Sequence, residues 1–297
     1  MSNLKAIRGK IKTVKNIEQI TKALEIVSTI KLKKVKKITE NYKHFTQAFL
    51  KTLYLINNKI DIFQTDKNIQ TSKNLIIVVS SEKWLCGALN SKLFKKIYID
   101  YASQREHTDI YCIGKKSIEF FARNNFNIIG KLNLKDNFTE QDIKAIYTLL
   151  AQSLENHHYK EIKIWFNYFQ NSILQIPTLL NIFPLTQQAF NQFLETIDEN
   201  RADDESKKKL EHGDLTLEPS DEECKKYLQK MIIQQITYDT ILQNKTGELA
   251  SRMIAMKNAT DNSNSLIKSL TLSFNKARQG IITQEISEIV SATISMQ

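Results

Sequence analysis

Glycine and proline are scarce, seven and three in 297 residues, where average usage puts the two together near 12%. Pro177, Pro184 and Pro219 are the three prolines, so residues 1–176 and 220–297 have none. That shortage disfavours turn-rich all-β folds, collagen-like repeats and flexible linkers, and it favours long uninterrupted helices. Cysteine is sparse too. Cys86, Cys112 and Cys224 lie far apart, with no CxxC pair and no Cys/His cluster. This is the pattern of reduced thiols, not of a disulfide framework or a zinc site. No apolar run approaches the roughly 20 residues that span a bilayer. The opening Met1-Ser2-Asn3-Leu4-Lys5 has no apolar core of a secretory signal. A soluble or peripheral chain is expected.

What is present is ordinary globular material, 41% hydrophobic and 25% charged, with the charge unevenly placed. Residues 1–60 carry 14 Lys/Arg against three Glu, while the remaining 237 carry 28 Lys/Arg and 29 Asp/Glu. The net charge of +10 therefore belongs to the first segment, which must face an acidic partner, phosphate or water.

That segment reads as one long amphipathic helix from Leu4 to about Asn57, interrupted only by Gly9. Apolar residues at Leu4, Ile7, Ile11 and Val14, then Ile17, Ile20, Leu24 and Val27, then Val35, Ile38, Tyr42, Phe45 and Phe49 follow 3/4 spacing within each group. The steps between groups, three and then eight, predict local changes of supercoil and not a perfectly regular heptad. At 1.5 Å per residue such a helix spans roughly 80 Å and needs a partner. From Asp221 the chain is again proline-free, with apolar positions from Leu228 to Val290, and a helix there would reach about 115 Å. The two terminal helices can bury their stripes on one another as an antiparallel coiled coil.

Between them the pattern changes. Asn74–Ser80 is a short β-branched run typical of a buried strand, Asp109–Ile113 is a second strand, and Glu161–Phe169 and Ile173–Leu180 are two more. Helices are expected over about Asn90–Ser103, Lys115–Asn124 and Thr139–Glu155. Alternating strands and helices imply an α/β domain with a mainly parallel sheet. The expected division is an N-terminal coiled-coil helix over 1–60, an α/β domain over 70–198, a charged loop over 199–220 and a C-terminal coiled-coil helix over 221–297.

Chemistry-bearing motifs are few. Gly114-Lys115-Lys116-Ser117 resembles the tail of a phosphate-binding loop, but the required earlier glycine is Asp109, so a strand-to-helix turn is expected. The pair His157-His158 has no accompanying carboxylate or thiol cluster, and adjacent helical positions do not face one site. Cys86 has no base near it in sequence. No nucleophile elbow or paired-carboxylate constellation is present. No catalytic, cofactor-binding or metal-binding residue is expected. The dense patch Lys31, Lys33, Lys34, Lys36 and Lys37, preceded by Lys10, Lys12 and Lys15, fits a solvated face, a nucleic-acid contact or docking against acidic protein loops.

Three segments carry a family resemblance. Ile7-Arg-Gly-Lys-Ile-Lys-Thr-Val-Lys-Asn-Ile-Glu-Gln-Ile-Thr-Lys-Ala-Leu-Glu25 resembles the N-terminal signature of the gamma subunit of F-type ATP synthases. Leu85-Cys-Gly-Ala-Leu-Asn90 resembles the family's glycine-rich turn after the first strand. Ser251-Arg-Met-Ile-Ala-Met-Lys-Asn-Ala-Thr-Asp-Asn262, continuing through Phe274-Asn-Lys-Ala-Arg-Gln279 and Ile282–Val290, resembles its C-terminal helix. The match covers the whole chain in order.

The resemblance implies a long antiparallel coiled coil of N- and C-terminal helices with an inserted Rossmann-like α/β domain. It implies a non-catalytic central-stalk rotor that couples ion flow to ATP synthesis or hydrolysis. The implied partners are the alpha and beta subunits of the catalytic hexamer, an epsilon-type stalk subunit and the membrane rotor ring, with no nucleic acid. The implied place is peripheral, on the cytoplasmic face of a bacterial inner membrane or the stromal or matrix face in an organelle. By position, Arg278 and Gln279 correspond to polar contacts with a beta-subunit loop, with Arg252 and Thr283 similarly placed. Glu248 resembles the residue coupling toward the lever region, and Lys22 lies beside the family's usual methionine, here Leu24.

Two features depart from the family. Its turn usually reads Gly-Leu-Cys-Gly-Gly-Leu-Asn, whereas Trp84 and Ala88 replace two glycines here, so a positive φ at either would force a rearranged turn. The charged run Arg201–Gly213 resembles a small insertion near where photosynthetic members carry a redox segment, but it has no cysteine pair. A basic coiled-coil nucleic-acid-binding protein is the alternative reading, and it leaves the C-terminal motif unexplained.

Overall fold

The computed structural model describes residues 2–57, 60–63, 72–136, 138–155, 158–197 and 217–295. Two compact units emerge, one of Met1–Ile30 with Arg252–Gln297 and one of Lys31–Ser251. Helix α1 runs Ser2–Asn57 and helix α6 runs Asp221–Ser295. The first turn of α6 holds Asp221, Glu222 and Glu223, which suit the positive end of the helix dipole. Its start is capped by Ser220, whose Oγ accepts from the Glu223 N–H at 3.3 Å.

The seam of α1 is more regular than its apolar residues suggest. Covered positions include 4, 7, 11, 14, 18, 21, 25, 28, 32, 35, 39, 42, 46, 49, 53 and 56, a line that alternates threes and fours, with 24, 29, 31 and 36 half-buried beside it. The expected breaks do not occur, because polar residues occupy seam positions: Glu18, Thr21, Glu25, Ser28, Thr39 and Thr46. Several of these hydroxyls are satisfied within their own helix. Ser28 donates to the Leu24 carbonyl at 2.7 Å, Thr39 to Val35 at 3.1 Å and Thr46 to Tyr42 at 3.0 Å. A hydroxyl bonded to its own previous turn can be buried without an unpaired donor, and its small size lets helices approach closely.

In the first unit, Thr21 and Thr260 meet through their hydroxyls at 2.8 Å. Covered α6 positions there include Met256, Thr260, Ser263, Ile267, Leu270, Phe274, Ala277 and Ile281, again alternating threes and fours. Ile17, Ile20 and Val27, expected in the stripe, are instead exposed, as are Leu266, Leu272, Ile282 and Ile286. In the second unit, Gln235 Nε2 donates to Thr46 Oγ1 at 2.5 Å, and the Tyr42 and Tyr238 rings lie 4.7 Å apart. Within this unit, Tyr42 with Tyr238 and Thr46 with Gln235 advance along α1 while retreating along α6, so the two helices run antiparallel there.

The second unit also holds a five-stranded sheet ordered β3-β2-β1-β4-β5. Its strands are β1 Asn74–Val79, β2 Thr108–Ile113, β3 Asn127–Leu132, β4 Glu161–Phe169 and β5 Gln175–Phe183. The first three pairings, β1 with β2 and β4 and β2 with β3, are parallel, and β5 closes the edge antiparallel to β4. Side-chain alternation splits the central strands between two cores. Ile76, Val78, Ile110, Cys112 and Trp165 pack with α2 (Leu89–Tyr101) and α3 (Lys115–Arg123). Leu75, Ile77, Val79, Ile113, Ile164 and Phe166 pack with α4 (Glu140–Glu155), α5 (Gln187–Ile197) and α6. Burial on both faces is why β1 and β2 read as continuous apolar runs.

Some elements escape the sequence pattern. Strand β3 is half exposed at the sheet edge, and its Gly130 is demanded by packing, since a Cβ there would fall 2.3 Å from the Tyr111 ring. Helix α5 was not among the expected helices, although Phe190, Phe193, Leu194 and Ile197 keep helical spacing. Strand β5 starts and ends later than Ile173–Leu180, with Pro177 tolerated because β5 is an edge strand. Helix α2 gives way to a 3₁₀ turn over Ala102–His107. The run Arg201–Gly213 and His157 lie outside the described residues, and His158 is exposed.

Candidate functional site

In an open α/β sheet, ligands bind beyond the carboxyl ends of the strands where the strand order reverses, here between β1 and β4. In this chain α6 fills that place. Strand β4 outruns β1, whose ladder with it ends at Val78 and Trp165. The N–H groups freed beyond that point find side-chain amides of α6. Asn167 N donates to Asn244 Oδ1 at 3.1 Å and Phe169 N to Gln243 Oε1 at 3.3 Å. The Asn167 side-chain amide also donates to Asn244 Oδ1, at 3.0 Å. Ser251 Oγ donates to the Cys86 carbonyl at 2.7 Å, in the turn after β1. At Gly247 an added Cβ would approach Gln175 Cγ to 3.2 Å, so the helix lies close against β5. Every residue from Ile241 to Ala250 is buried.

The neighbouring anion position is also taken. Glu82 accepts from the Lys115 N–H at 3.3 Å, at the start of α3, and from the Leu134 N–H at 2.6 Å. A carboxylate of the chain itself thus sits where a helix N-terminus would attract phosphate. The Gly114–Ser117 segment is a strand-to-helix turn, as expected. Gly114 has φ +96, and an added Cβ would fall 2.4 Å from the Ser80 carbonyl oxygen. Ser117 N donates to Ser80 Oγ at 2.9 Å. No group of three or more His, Cys, Asp or Glu able to hold a metal occurs among the described residues.

An ionic network gathers four segments of the second unit around Asp136. Lys31 of α1 reaches it at 2.5 Å and Lys245 of α6 at 3.0 Å, with Lys83 at 3.8 Å. Lys245 also pairs with Glu248 at 3.2 Å. Burial pushes the Asp136 carboxyl up, but hydrogen bonds from Lys31 and Lys245 outweigh it and hold the group well below the usual carboxylate range. The basic patch is therefore not one uniform face. Lys31 turns to Asp136 and Lys36 lies 5.2 Å over the Phe169 ring, while Lys33, Lys34 and Lys37 are exposed.

The residues carried over by resemblance fall into two sets. Lys22, Arg278, Gln279 and Thr283 are exposed, and Leu24 is half-buried. Lys22 pairs with Glu25 at 3.1 Å, and Thr283 Oγ1 donates to the Gln279 carbonyl at 2.9 Å. Glu248 and Arg252, by contrast, are only 2% and 8% exposed. In the turn after β1, the positive φ values fall on Leu85 and Gly87, at 68° and 58°. Ala88 has φ −90, so neither Trp84 nor Ala88 demands a rearranged turn. All three cysteines are free thiols. Cys86 is buried beside Ser81 and Asn90, and burial pushes the Cys112 thiol up to about 12. Asn244, Gln243, Asp136 and Glu82 gave no sequence signal, since each acts on a segment remote in the chain.

Two long terminal helices bracketing an α/β domain, with the domain's ligand crevice occupied by one of those helices, define the architectural class. A family model described as ATP synthase matches residues 3–296. The ATP synthase gamma chain of Mycoplasma mycoides subsp. mycoides SC is 32% identical over 296 residues, covering 98% of each chain. That of Buchnera aphidicola subsp. Baizongia pistaciae is 30% identical, covering 100% of this chain and 99% of the relative. Among solved structures, a chain of the Euglena gracilis mitochondrial ATP synthase (OSCP, F1 and c-ring) superposes with TM-score 0.66 at 16% identity, covering 99% of this chain and 95% of that one. A chain of the Tetrahymena thermophila mitochondrial ATP synthase central stalk and c-ring gives TM-score 0.58 at 22% identity, covering 81% and 99%.

The chain belongs to the family of ATP synthase gamma chains, the rotor-stalk subunits of F-type ATP synthases. The nucleic-acid-binding alternative finds no support in these relatives. Among the described residues, no helix is long and apolar enough to cross a membrane.

Proposed function

We propose that this chain is the non-catalytic shaft of its ATP synthase, turning inside a collar of alpha and beta subunits and carrying torque between that collar and a membrane rotor ring. The observation that carries this reading is apolar surface that the helix pair leaves open. Ile17, Ile20 and Val27 of α1 face solvent beside the seam, and Ile282, Ile286, Ile289, Val290 and Ile294 of α6 face solvent beyond its last covered position. Exposed apolar surface on both helices is surface for a partner to cover, and a surrounding collar covers it without locking one orientation. Arg278, Gln279 and Thr283 supply polar contacts along the α6 stretch, while on α1 Lys22 supplies a polar contact and Leu24 an apolar one. Glu248 and Arg252, being buried, act by holding α6 rather than by reaching a partner.

The α/β domain (70–198) is then the part that meets an epsilon-type subunit and the ring, with 1–60 and 221–297 as the coiled-coil arms; most of the charged run 199–220 lies outside the described residues. The protein is peripheral, on the face of the membrane that carries the catalytic hexamer, cytoplasmic in a bacterium and stromal or matrix in an organelle. Bond-making steps on ATP belong to the hexamer. Tagged chain isolated from its native cell under mild conditions is expected to bring down alpha and beta subunits with ATPase activity. Recovery alone, or with nucleic acid and no ATPase, refutes the reading.

A further inference from the structure

We infer that the groove between α2 and α3 docks an acidic amphipathic segment of another protein in the assembly, with Trp84 closing over it; this rests on the stalk reading above. The groove has a volume of about 470 Å³. Its floor is aromatic, with the rings of Phe94 and Phe120 stacked 4.9 Å apart. Its rim is basic on both sides, Lys95 on α2 and Arg123 on α3, both exposed. The carboxylate among the lining residues, Glu119, already accepts from Lys116 at 2.8 Å.

Trp84 stands at the mouth, 67% exposed, next to Leu85 at 56%. Two large apolar side chains so open in one turn are not placed there by the chain's own core. Leu85 holds φ 68, a left-handed conformation that is strained for a non-glycine residue. The turn thus keeps a strained backbone while presenting Trp84 outward. Lys116, itself buried, places its Nζ 3.6 Å from the centre of the Trp84 ring, which fixes the indole over the groove.

Charge complementarity selects the occupant. Cations on both walls favour carboxylates on both sides of a segment lying lengthwise, and the aromatic floor takes apolar side chains pointing down. A flat lipid surface cannot reach Phe94, which is 5% exposed at the base of the groove. Anchoring by aromatic residues with a charged rim is the usual energetic arrangement of a docking site.

The test uses the full chain in its assembled complex, with a photo-cross-linking phenylalanine analogue at Ser91, which lines the groove. Co-purified ATPase activity reports separately whether the chain has assembled. In an active complex, the expected adduct maps to a partner peptide with carboxylates flanking apolar residues. Combined Lys95→Glu and Arg123→Glu should cut its yield about tenfold, as should raising salt from about 50 mM to about 500 mM. An adduct to lipid, to a neutral or basic peptide, or none at all in an active complex overturns the inference. So does a yield indifferent to charge reversal. Failure to assemble an active complex sinks the stalk reading itself.

Discussion

Substituting Asn244→Ala tests whether α6 is fastened to the sheet by the contacts that fill the strand-end crevice. Asn244 Oδ1 accepts two hydrogen bonds, from the backbone and the side chain of Asn167, at 3.1 and 3.0 Å. Asn244 and Asn167 are 2% and 1% exposed, so water does not readily replace the lost acceptor. Each buried donor left unpaired costs about 1–3 kcal/mol, so the substitution should lower stability by about 2–5 kcal/mol. Partial rotation of the Asn167 amide would bring the value to the lower end. Denaturant unfolding of the full chain reads the loss directly. A double-mutant cycle with Asn167→Ala should return a coupling on the order of 1 kcal/mol, because only the side-chain bond is shared by the two substitutions. In the assembled enzyme the same change should lower ATP-driven ion pumping more than ATP hydrolysis, since it loosens the helix from the domain. A loss below about 0.5 kcal/mol, or strict additivity, would mean that the strand ends of β4 find other partners and that the fastening argument is wrong.

A buried carboxyl gives a pH prediction. Asp239 is buried, its Oδ2 has no hydrogen-bond partner among the described residues, and burial outweighs its bond to Gln243 to push it up to about 7. The folded chain therefore binds this proton more tightly than the unfolded one, whose carboxyl titrates near 4, and stability falls as pH rises from about 4 to about 7. Asp239→Asn should flatten that slope and add about 1–4 kcal/mol at pH 8, read by unfolding across pH; an unchanged slope would contradict it. Gly114→Ala should cost at least about 2 kcal/mol, since φ +96 is strained for alanine and its Cβ meets the Ser80 carbonyl at 2.4 Å. A melting temperature unaltered by that change would count against the tight turn. Ala255→Pro removes an intrahelical hydrogen bond within α6 at roughly 3 kcal/mol. Coupled pumping should drop relative to hydrolysis, and a fully coupled mutant enzyme would contradict the shaft reading.

How far the sequence could be read depended on how local each physical cause was. Strands β1, β2 and β4 were legible because their faces are largely buried, which leaves a continuous β-branched run in β1 and short apolar and aromatic stretches in β2 and β4. Strand β3 was not, because an edge strand with Gly130 against Tyr111 carries neither the run nor the propensity. The long helices were legible from the lack of proline and from 3/4 spacing, yet the seam was misplaced. Apolar residues were followed through Ile17, Ile20 and Val27, whereas the covered positions pass through Thr21, Ser28 and Thr46. Hydroxyls bonded to the preceding turn can be buried cheaply, so hydrophobicity alone does not trace a close helix contact.

By itself, then, the sequence determined helix length, strand identity in the sheet centre, charge asymmetry and family, since each rests on neighbours along the chain or on motif residues in order. Tertiary structure alone decided the rest. It matched Lys31 and Lys245 to Asp136, set Glu82 at the start of α3, and laid Gln243 and Asn244 across the free end of β4. These pairings join groups dozens to hundreds of residues apart, and a polar side chain carries no local mark of the distant donor or charge that its burial will require.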